Sequence, residues 1–390
     1  MELFSLLGVL AAFVASLLVV LLVHPQVIKF AFRHNVVDVP NNRKLQRSPV
    51  PVLGGVVVFF GLLAGLCVAS PFMDVRPLLP MFMAMSLMLC VGVADDVTGL
   101  SPWLRFGIEI LVTIALICMT DMSLNDFQGL WGVDGVSAWF SIPLTIVAVV
   151  GIINAINLVD GVDGLSSGYC IMACGAFGVM FFEAENVSML LSCAISIGAL
   201  LPFFFHNVFG KKSKMFIGDG GSLMMGMIIS TCVVSTIYSG GTCEKCAECG
   251  MGLVPFTLAV MCVPVFDTVR VMFMRIIRHT SPFHPDKTHL HHLFIEMGFS
   301  HVGTTVSELM LNMFVILCWW LSYKLGASVD VQFYVVVASG LLVTVGLYKF
   351  MRIQIAKDTV IFRFVQKIGA KTKMENHKGW VALQKVVDRI

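Results

Sequence analysis

Long, nearly uncharged apolar blocks recur along this chain, and no other feature restricts its folding so strongly. A helix needs roughly 20 apolar residues to cross a hydrocarbon core, where backbone groups find hydrogen-bond partners only inside the helix. About eleven such blocks can be read, near 4–24, 52–70, 78–94, 104–120, 140–155, 164–182, 187–205, 220–239, 251–274, 305–322 and 331–349. The fifth is short, and Gly99, Gly161, Gly164 and Gly220 soften several helix ends. Charged residues make up 13% of the 390 and hydrophobic residues 57%, against about 25% charged in a soluble domain. The expected fold is an all-α polytopic membrane protein. The first block lacks a positively charged leader and a small-residue cleavage site, so a retained helix is expected there rather than a secretion signal.

The positive charges suggest an orientation. With alternating loops, one side holds only Arg76, Lys245 and Lys324, and the rest of the 26 Lys and Arg lie in or beside the opposite loops and the tail. Basic residues favour the cytoplasmic side. The N-terminus is thus expected outside, and a transmembrane domain over 1–350 is expected to be followed by a basic cytoplasmic tail over 351–390. The net charge of +2 hides this asymmetry. It offers no nucleic-acid patch, and the tail reads as an amphipathic, lipid-facing segment.

Polar motifs concentrate in the basic set of loops. Asp95 and Asp96 follow directly on the apolar run LMLCVGVA. Adjacent carboxylates repel unless a cation or proton sits between them, and ionisable groups at a membrane helix mouth are usually functional. Solvated helix-end charge is the plainer alternative. Asn154, Asn157, Asp160 and Asp163 recur every third residue, with Gly161 and Gly164 between them. An oxygen-only row of this kind suits Mg²⁺, and an interhelical polar row is the alternative. The run Phe216-Ile-Gly-Asp-Gly-Gly-Ser222 begins a helix. Its glycines are expected to offer free N–H groups to an anion, and its Asp219 a ligand to a bridging metal; Asp and Ser are also ordinary N-caps. Lys211, Lys212 and Lys214 would attract phosphate or form a solvated basic loop. His284, His289, His291 and His292 crowd one loop with Lys287. Zinc is one reading, but no thiolate accompanies them, and binding of a pyrophosphate or sugar is preferred. Asp267 with Arg270, and Arg105 with Glu109, read as local helix pairs, and His24 and His34 as interfacial.

The cysteines are read apart from this chemistry. All but Cys243, Cys246 and Cys249 of the 12 lie in apolar blocks. Those three share an outer loop at CxxCxxC spacing, where a disulfide, plain thiols or a metal remain open.

Taken in order, RKLQRSPVPVLGG, DDVTGL, NAINLVDGVDGL, FIGDGGS and HPDKTHLHH resemble the motifs of the polyprenyl-phosphate N-acetylhexosamine-1-phosphate transferase family over most of residues 1–350. The resemblance implies Mg²⁺-dependent transfer of a sugar 1-phosphate from a UDP-sugar to a polyprenyl phosphate, with release of UMP, with Mn²⁺ as a substitute metal. It places the enzyme in a bacterial plasma membrane with its site on the cytoplasmic face, and it admits a homodimer. Asp95 and Asp96 are implied as the paired catalytic aspartates, with Asp160 and Asp163 lining the same cleft. Asn157 and Asp219 are implied as metal ligands. Lys44 and Arg105 would contact phosphates, and Phe216 would stack near the uracil beside Asn207. Asn154, Lys287, His289, His291 and His292 complete the substrate-binding set. The His-x-His-His form at 289–292 is similar to that of the branch using UDP-N-acetylglucosamine and undecaprenyl phosphate. Gln46 stands where a histidine is expected in an R-K-x-H stretch. Two other classes are weighed. CDP-alcohol phosphotransferases share Asp-Gly pairs but continue differently after Gly164. Transporters or flippases place ionisable groups at the bilayer midplane rather than at helix ends.

Overall fold

The computed structural model describes residues 3–38, 49–281, 287–374 and 377–389, so Lys44, Gln46 and His284 lie outside the described residues. In chain order the helices are α1 (Leu3–Arg33), α2 (Gly54–Ala69), α3 (Leu79–Thr98), α4 (Pro102–Thr120), α5 (Ala138–Val159) and α6 (Leu165–Glu183). There follow α7 (Val187–Phe209), α8 (Gly218–Ile237), α9 (Glu244–Glu248), α10 (Leu253–Val260), α11 (Cys262–Ile277) and α12 (Leu290–Glu296). The last are α13 (His301–Lys324), α14 (Val329–Leu341), α15 (Leu347–Ala356), α16 (Val360–Lys371) and α17 (Lys378–Val387). Two short antiparallel hairpins, Val37–Asp38 with Val50–Pro51 and Asp126–Leu130 with Val133–Gly135, are the only sheets among the described residues.

Every apolar block falls on a helix, but the helices differ in length. Among the described residues nine helical stretches are long and apolar enough to cross a membrane, counting 329–356 as one. The block at 52–70 becomes α2, with only 16 residues. The block at 251–274 becomes α10 and α11, bent by 73°, which counts at most as a tenth span. The expectation of about eleven is therefore reduced to nine or ten. The fifth block is also longer than expected, since α5 runs 22 residues and carries Asn154 and Asn157 within it.

The bend in the ninth block has an identifiable cause. Breaking a helix in an apolar setting exposes backbone groups that must find new partners. The side chain of Asn312 on α13 supplies them: its Oδ1 accepts from Val263 N–H at 2.9 Å, and its Nδ2 donates to the carbonyls of Val260 at 3.0 Å and Ala259 at 3.3 Å. The Tyr169 hydroxyl on α6 donates to the same Val260 carbonyl at 2.7 Å.

At the centre stands α8, buried on every side. Glycines make that possible. A Cβ at Gly55 would stand 2.3 Å from the backbone nitrogen of Gly221, and one at Gly92 would stand 2.3 Å from that of Gly220. Backbones of α2 and α3 thus lie directly against the first turn of α8. The outer helices instead present apolar side chains outward: Leu3, Leu10 and Leu22 on α1, and Leu111 on α4, are all exposed. The tail folds back on the bundle, and the Trp380 ring of α17 packs on Phe209 of α7 at 4.7 Å. In the CxxCxxC loop Cys243 and Cys246 are buried and Cys249 is exposed, all as free thiols.

Candidate active site

The start of α8 is the pivot of the site. Gly218 has φ +71°, a left-handed backbone that a side chain would strain. A Cβ there would also stand 2.6 Å from a carboxylate oxygen of Asp96. Asp96 lies in the last turn of α3, and its two oxygens accept the N–H groups of Asp219 at 3.1 Å and Gly220 at 3.3 Å. This corrects one expectation: these helix N-terminal N–H groups are held by the protein's own carboxylate, and the glycines serve close packing.

Asp95 and Asp96 also face different partners. Adjacent helical side chains point about 100° apart. Asp95 turns toward α4, accepting from Leu100 N–H at 2.7 Å and pairing with Arg105 at 3.0 Å. Arg105 reaches Glu109 at 3.6 Å and Asp219 at 3.9 Å as well. Glu109 is buried and accepts from the Asn154 side chain, so Asn154 serves this acidic network rather than the cavity. Asn157, one turn on, donates to Asp219 at 2.6 Å and to the Ser222 hydroxyl at 2.9 Å.

Below these helix ends opens a cavity of about 630 Å³. Its wall includes Asp96, Asp160, Asp163, Asp219, Asn207, Lys214, Phe216, His292 and His301. Asp160 follows the end of α5 and accepts from the Ser166 hydroxyl at 2.8 Å. Burial raises its pKa to about 7; Ser166 offsets part of this, while the charges of Asp219, Asp96 and Asp163 add to it. Asp163 behaves oppositely. Burial alone would raise it, yet His301 at 2.9 Å and Lys214 at 2.6 Å hold it below the usual carboxylate range. Asn207 acts mainly on the loops, accepting from Gly164 N–H at 2.6 Å and donating to the Met215 carbonyl at 2.8 Å. Lys214 stands 5.7 Å over the Phe216 ring, within cation–π range.

The histidine loop reaches the cavity through His292 only, among the described residues. His289 and His291, expected to hold the pyrophosphate or sugar, are buried and stack in parallel at 5.6 Å. His289 Nδ1 is paired with Asp267 at 2.9 Å, and Asp267 also holds Arg270 at 2.6 Å. The Asp267–Arg270 pair is thus local, as the spacing suggests, and also anchors the histidine loop. Burial, then the charges of His292 and His289, lower the His291 pKa to about 3. Its Nε2 lies against Gly161, where a Cβ would stand only 2.9 Å away. The neutral ring acts as a wedge beneath the Asp160–Asp163 turn. Lys287 is exposed and does not line the cavity.

Among the described residues no three His, Cys, Asp or Glu side chains converge on one metal position. Mg²⁺ does not require such a cage, since it takes one or two carboxylates and keeps water and phosphate ligands. Five carboxylates, Asp38, Asp96, Asp160, Asp163 and Asp219, line one cavity, and the charges of Asp219, Asp96 and Asp163 raise Asp160. A dication relieves that repulsion, so the donor set fits.

Sequence reasoning passed over several participants. Thr372, Met374 and Trp380 of the tail line the cavity, as does His301. Their partners are remote in sequence and carry no motif, and the tail, expected to face lipid, packs on α7 through Trp380.

Fold and site together define a multi-pass membrane protein with an acidic cavity of about 630 Å³ at one end of its helices. Residues 78–237 match the family described as Glycosyl transferase family 4, a stretch that includes Asp95, Asp96, Asn157 and Asp219. The chain is 29% identical over 297 residues to a probable undecaprenyl-phosphate N-acetylglucosaminyl 1-phosphate transferase of Bacillus subtilis, covering 76% of this chain and 80% of that one. It is 30% identical to the undecaprenyl-phosphate alpha-N-acetylglucosaminyl 1-phosphate transferase of Yersinia pestis, over 70% of this chain and 73% of that one. The protein of the same description from Escherichia coli K12 is also 30% identical, over 70% and 72%. The chain belongs to the polyprenyl-phosphate N-acetylhexosamine-1-phosphate transferase family, and it is a membrane enzyme that transfers a sugar phosphate.

Proposed function

We propose that the enzyme transfers N-acetylglucosamine 1-phosphate from UDP-N-acetylglucosamine to undecaprenyl phosphate, forming the first lipid-linked intermediate of a cell-surface glycan. The observation that carries this reading is the meeting of Asp96, Asp160, Asp163, Asp219, Lys214 and Phe216 on one cavity at the ends of membrane helices. A nucleotide sugar needs a flat apolar surface, a cation and a polar floor, and the lipid phosphate must arrive from the bilayer beside them.

An oxygen of the lipid phosphate forms a bond to the sugar-bearing phosphorus, the bond from that phosphorus to UMP breaks, and UMP leaves with the electron pair. Positioning and electrostatics supply most of the catalysis in such transfers. Asp96, fixed by two N–H groups, orients the attacking phosphate and accepts its proton. Asp95 acts one step back, aligning Arg105. Lys214 attracts a phosphate and Phe216 offers its ring to the uracil. Asp219, with Asn157 beside it, would hold Mg²⁺ or Mn²⁺, which would offset the charge of the pyrophosphate. His292 lies where the sugar or pyrophosphate would rest, and His289 and His291 support the turn behind it.

The basic helix ends are assigned to the cytoplasm of a bacterial plasma membrane by the excess of Lys and Arg there. The test is UMP release by purified protein in detergent with Mg²⁺, across a panel of UDP-sugars. Release that requires both UDP-N-acetylglucosamine and undecaprenyl phosphate is expected; faster release from another UDP-N-acetylhexosamine would reassign the sugar.

A further inference from the structure

The tail lies outside the stretch that matches the family, yet it reaches the cavity. Three sets of contacts hold it there. Thr372 Oγ1 accepts from Ser300 N–H at 2.9 Å, and the Thr372 carbonyl accepts from the Ser300 hydroxyl at 2.8 Å. Gly303 leaves room for this threonine, since a Cβ there would stand 2.5 Å from Thr372 Oγ1. Trp380 packs on Phe209 in the middle of the strap. At the far end, one oxygen of Asp388 receives the N–H groups of Lys211 at 2.9 Å, Lys212 at 3.0 Å and Ser213 at 3.0 Å, and the Ser213 hydroxyl at 2.9 Å.

Docking of a terminal helix would not by itself call for four donors on one oxygen. Bonds to an ionised acceptor are stronger than neutral ones and fix geometry more tightly. The loop so gripped is also the one that carries Lys214 and Phe216 into the cavity. Its other tethers include the Lys214–Asp163 pair at 2.6 Å, His24 Nε2 on the Ser213 carbonyl at 2.8 Å, Asn207 on Met215, and the Pro51 carbonyl accepting Phe216 N–H at 2.8 Å. Asp388 is the tether for the first part of that loop. Burial alone would raise its pKa, but the donors of Ser213, Lys211 and Lys212 hold it below the ordinary range, so it is ionised at neutral pH.

The geometry points to residues 372–374 and 377–388 as part of the substrate site, with Asp388 a positioning residue that holds Lys211–Ser213 so that Lys214 and Phe216 face a bound phosphate ester. This rests on the phosphate-transfer reading above. Both substrates carry such a group, so the two are separated by experiment.

In full-length protein, Asp388→Ala is expected to raise KM for UDP-N-acetylglucosamine or for undecaprenyl phosphate by about tenfold, with kcat changed by less than about threefold. The substrate whose KM rises is the one the loop holds. Asp388→Asn keeps an acceptor oxygen without the charge and should fall between, and Trp380→Ala should raise the same KM. A lower melting temperature in both alanine variants with both KM values within about twofold of wild type would overturn the inference, leaving the tail a brace. Hydrogen exchange on the wild-type protein supplies a second arm. Exchange over 377–389 should slow on adding UDP-N-acetylglucosamine or undecaprenyl phosphate, and no change with either overturns the inference. Absence of UMP release by wild-type protein would instead sink the reaction assignment, and the exchange arm would still decide the role of the tail.

Discussion

Asp96 and Asp95 differ by one position and by everything around them. Asp96 faces the cavity and rests on two backbone N–H groups, whereas Asp95 is spent on Arg105. Asp96→Asn keeps an acceptor oxygen for one of the two N–H groups and sets an amide nitrogen against the other, so the first turn of α8 should loosen slightly. Transfer should fall by about 10²–10⁴-fold, the usual worth of a positioned acid or base, with only a small drop in melting temperature in detergent; normal turnover would remove Asp96 from the chemistry. Asp160 gives a pH signature. With its pKa raised to about 7, it holds its proton below that pH and is ionised above it. Between about 3.9, the value in an unfolded chain, and 7 the fold carries the extra proton, so this group's contribution to stability declines as pH rises through that window. A dication at Asp219 favours the ionised form. The acid limb of kcat/KM should therefore sit near 7 at low Mg²⁺ and move to lower pH at saturating Mg²⁺. A limb that ignores Mg²⁺ would contradict the shared cluster.

Elements meet here because glycines let them. Gly92 of α3 abuts the backbone of Gly220, so a methyl group has no space at that crossing. Gly92→Ala should destabilise the protein by about 1–3 kcal/mol through overpacking and should also displace Asp96, one turn along the same helix. The check pairs a thermal-shift measurement with turnover; a variant as stable and active as wild type would show that α3 and α8 do not meet so closely. The break between α10 and α11 follows a different logic, with Asn312 supplying the partners that a broken helix needs. Neither feature is visible in hydropathy. A window average runs through the bend because Val260, Met261 and Cys262 are as apolar as their neighbours, and the partner of the bend lies about fifty residues away.

At the scale of the whole molecule, the helices were legible because a membrane forces apolar residues into long runs, and the acids and histidines were legible because they interrupt those runs. What stayed hidden was pairing across the sequence. Lys214 meets Asp163, Asp267 meets His289, and Asp388 meets Lys211–Ser213 through folding alone. Helix length was also less legible than apolarity, as in the 16 residues of α2. The proposed orientation has its own test. Cys249 is the exposed thiol of the outer loop, so a membrane-impermeant maleimide added to intact spheroplasts should label it, and Cys249→Ser should lose that label. Labelling only after the membrane is opened would invert the topology and move the cavity to the other face. A sugar phosphate, not a bare sugar, is expected to pass to the lipid. Purified protein given UDP-N-acetylglucosamine labelled with ³²P at the sugar-bearing phosphate, together with undecaprenyl phosphate, should move the label into the lipid phase with one UMP formed per labelled lipid. Label left in the aqueous phase as UDP, with an unlabelled glycolipid, would contradict it.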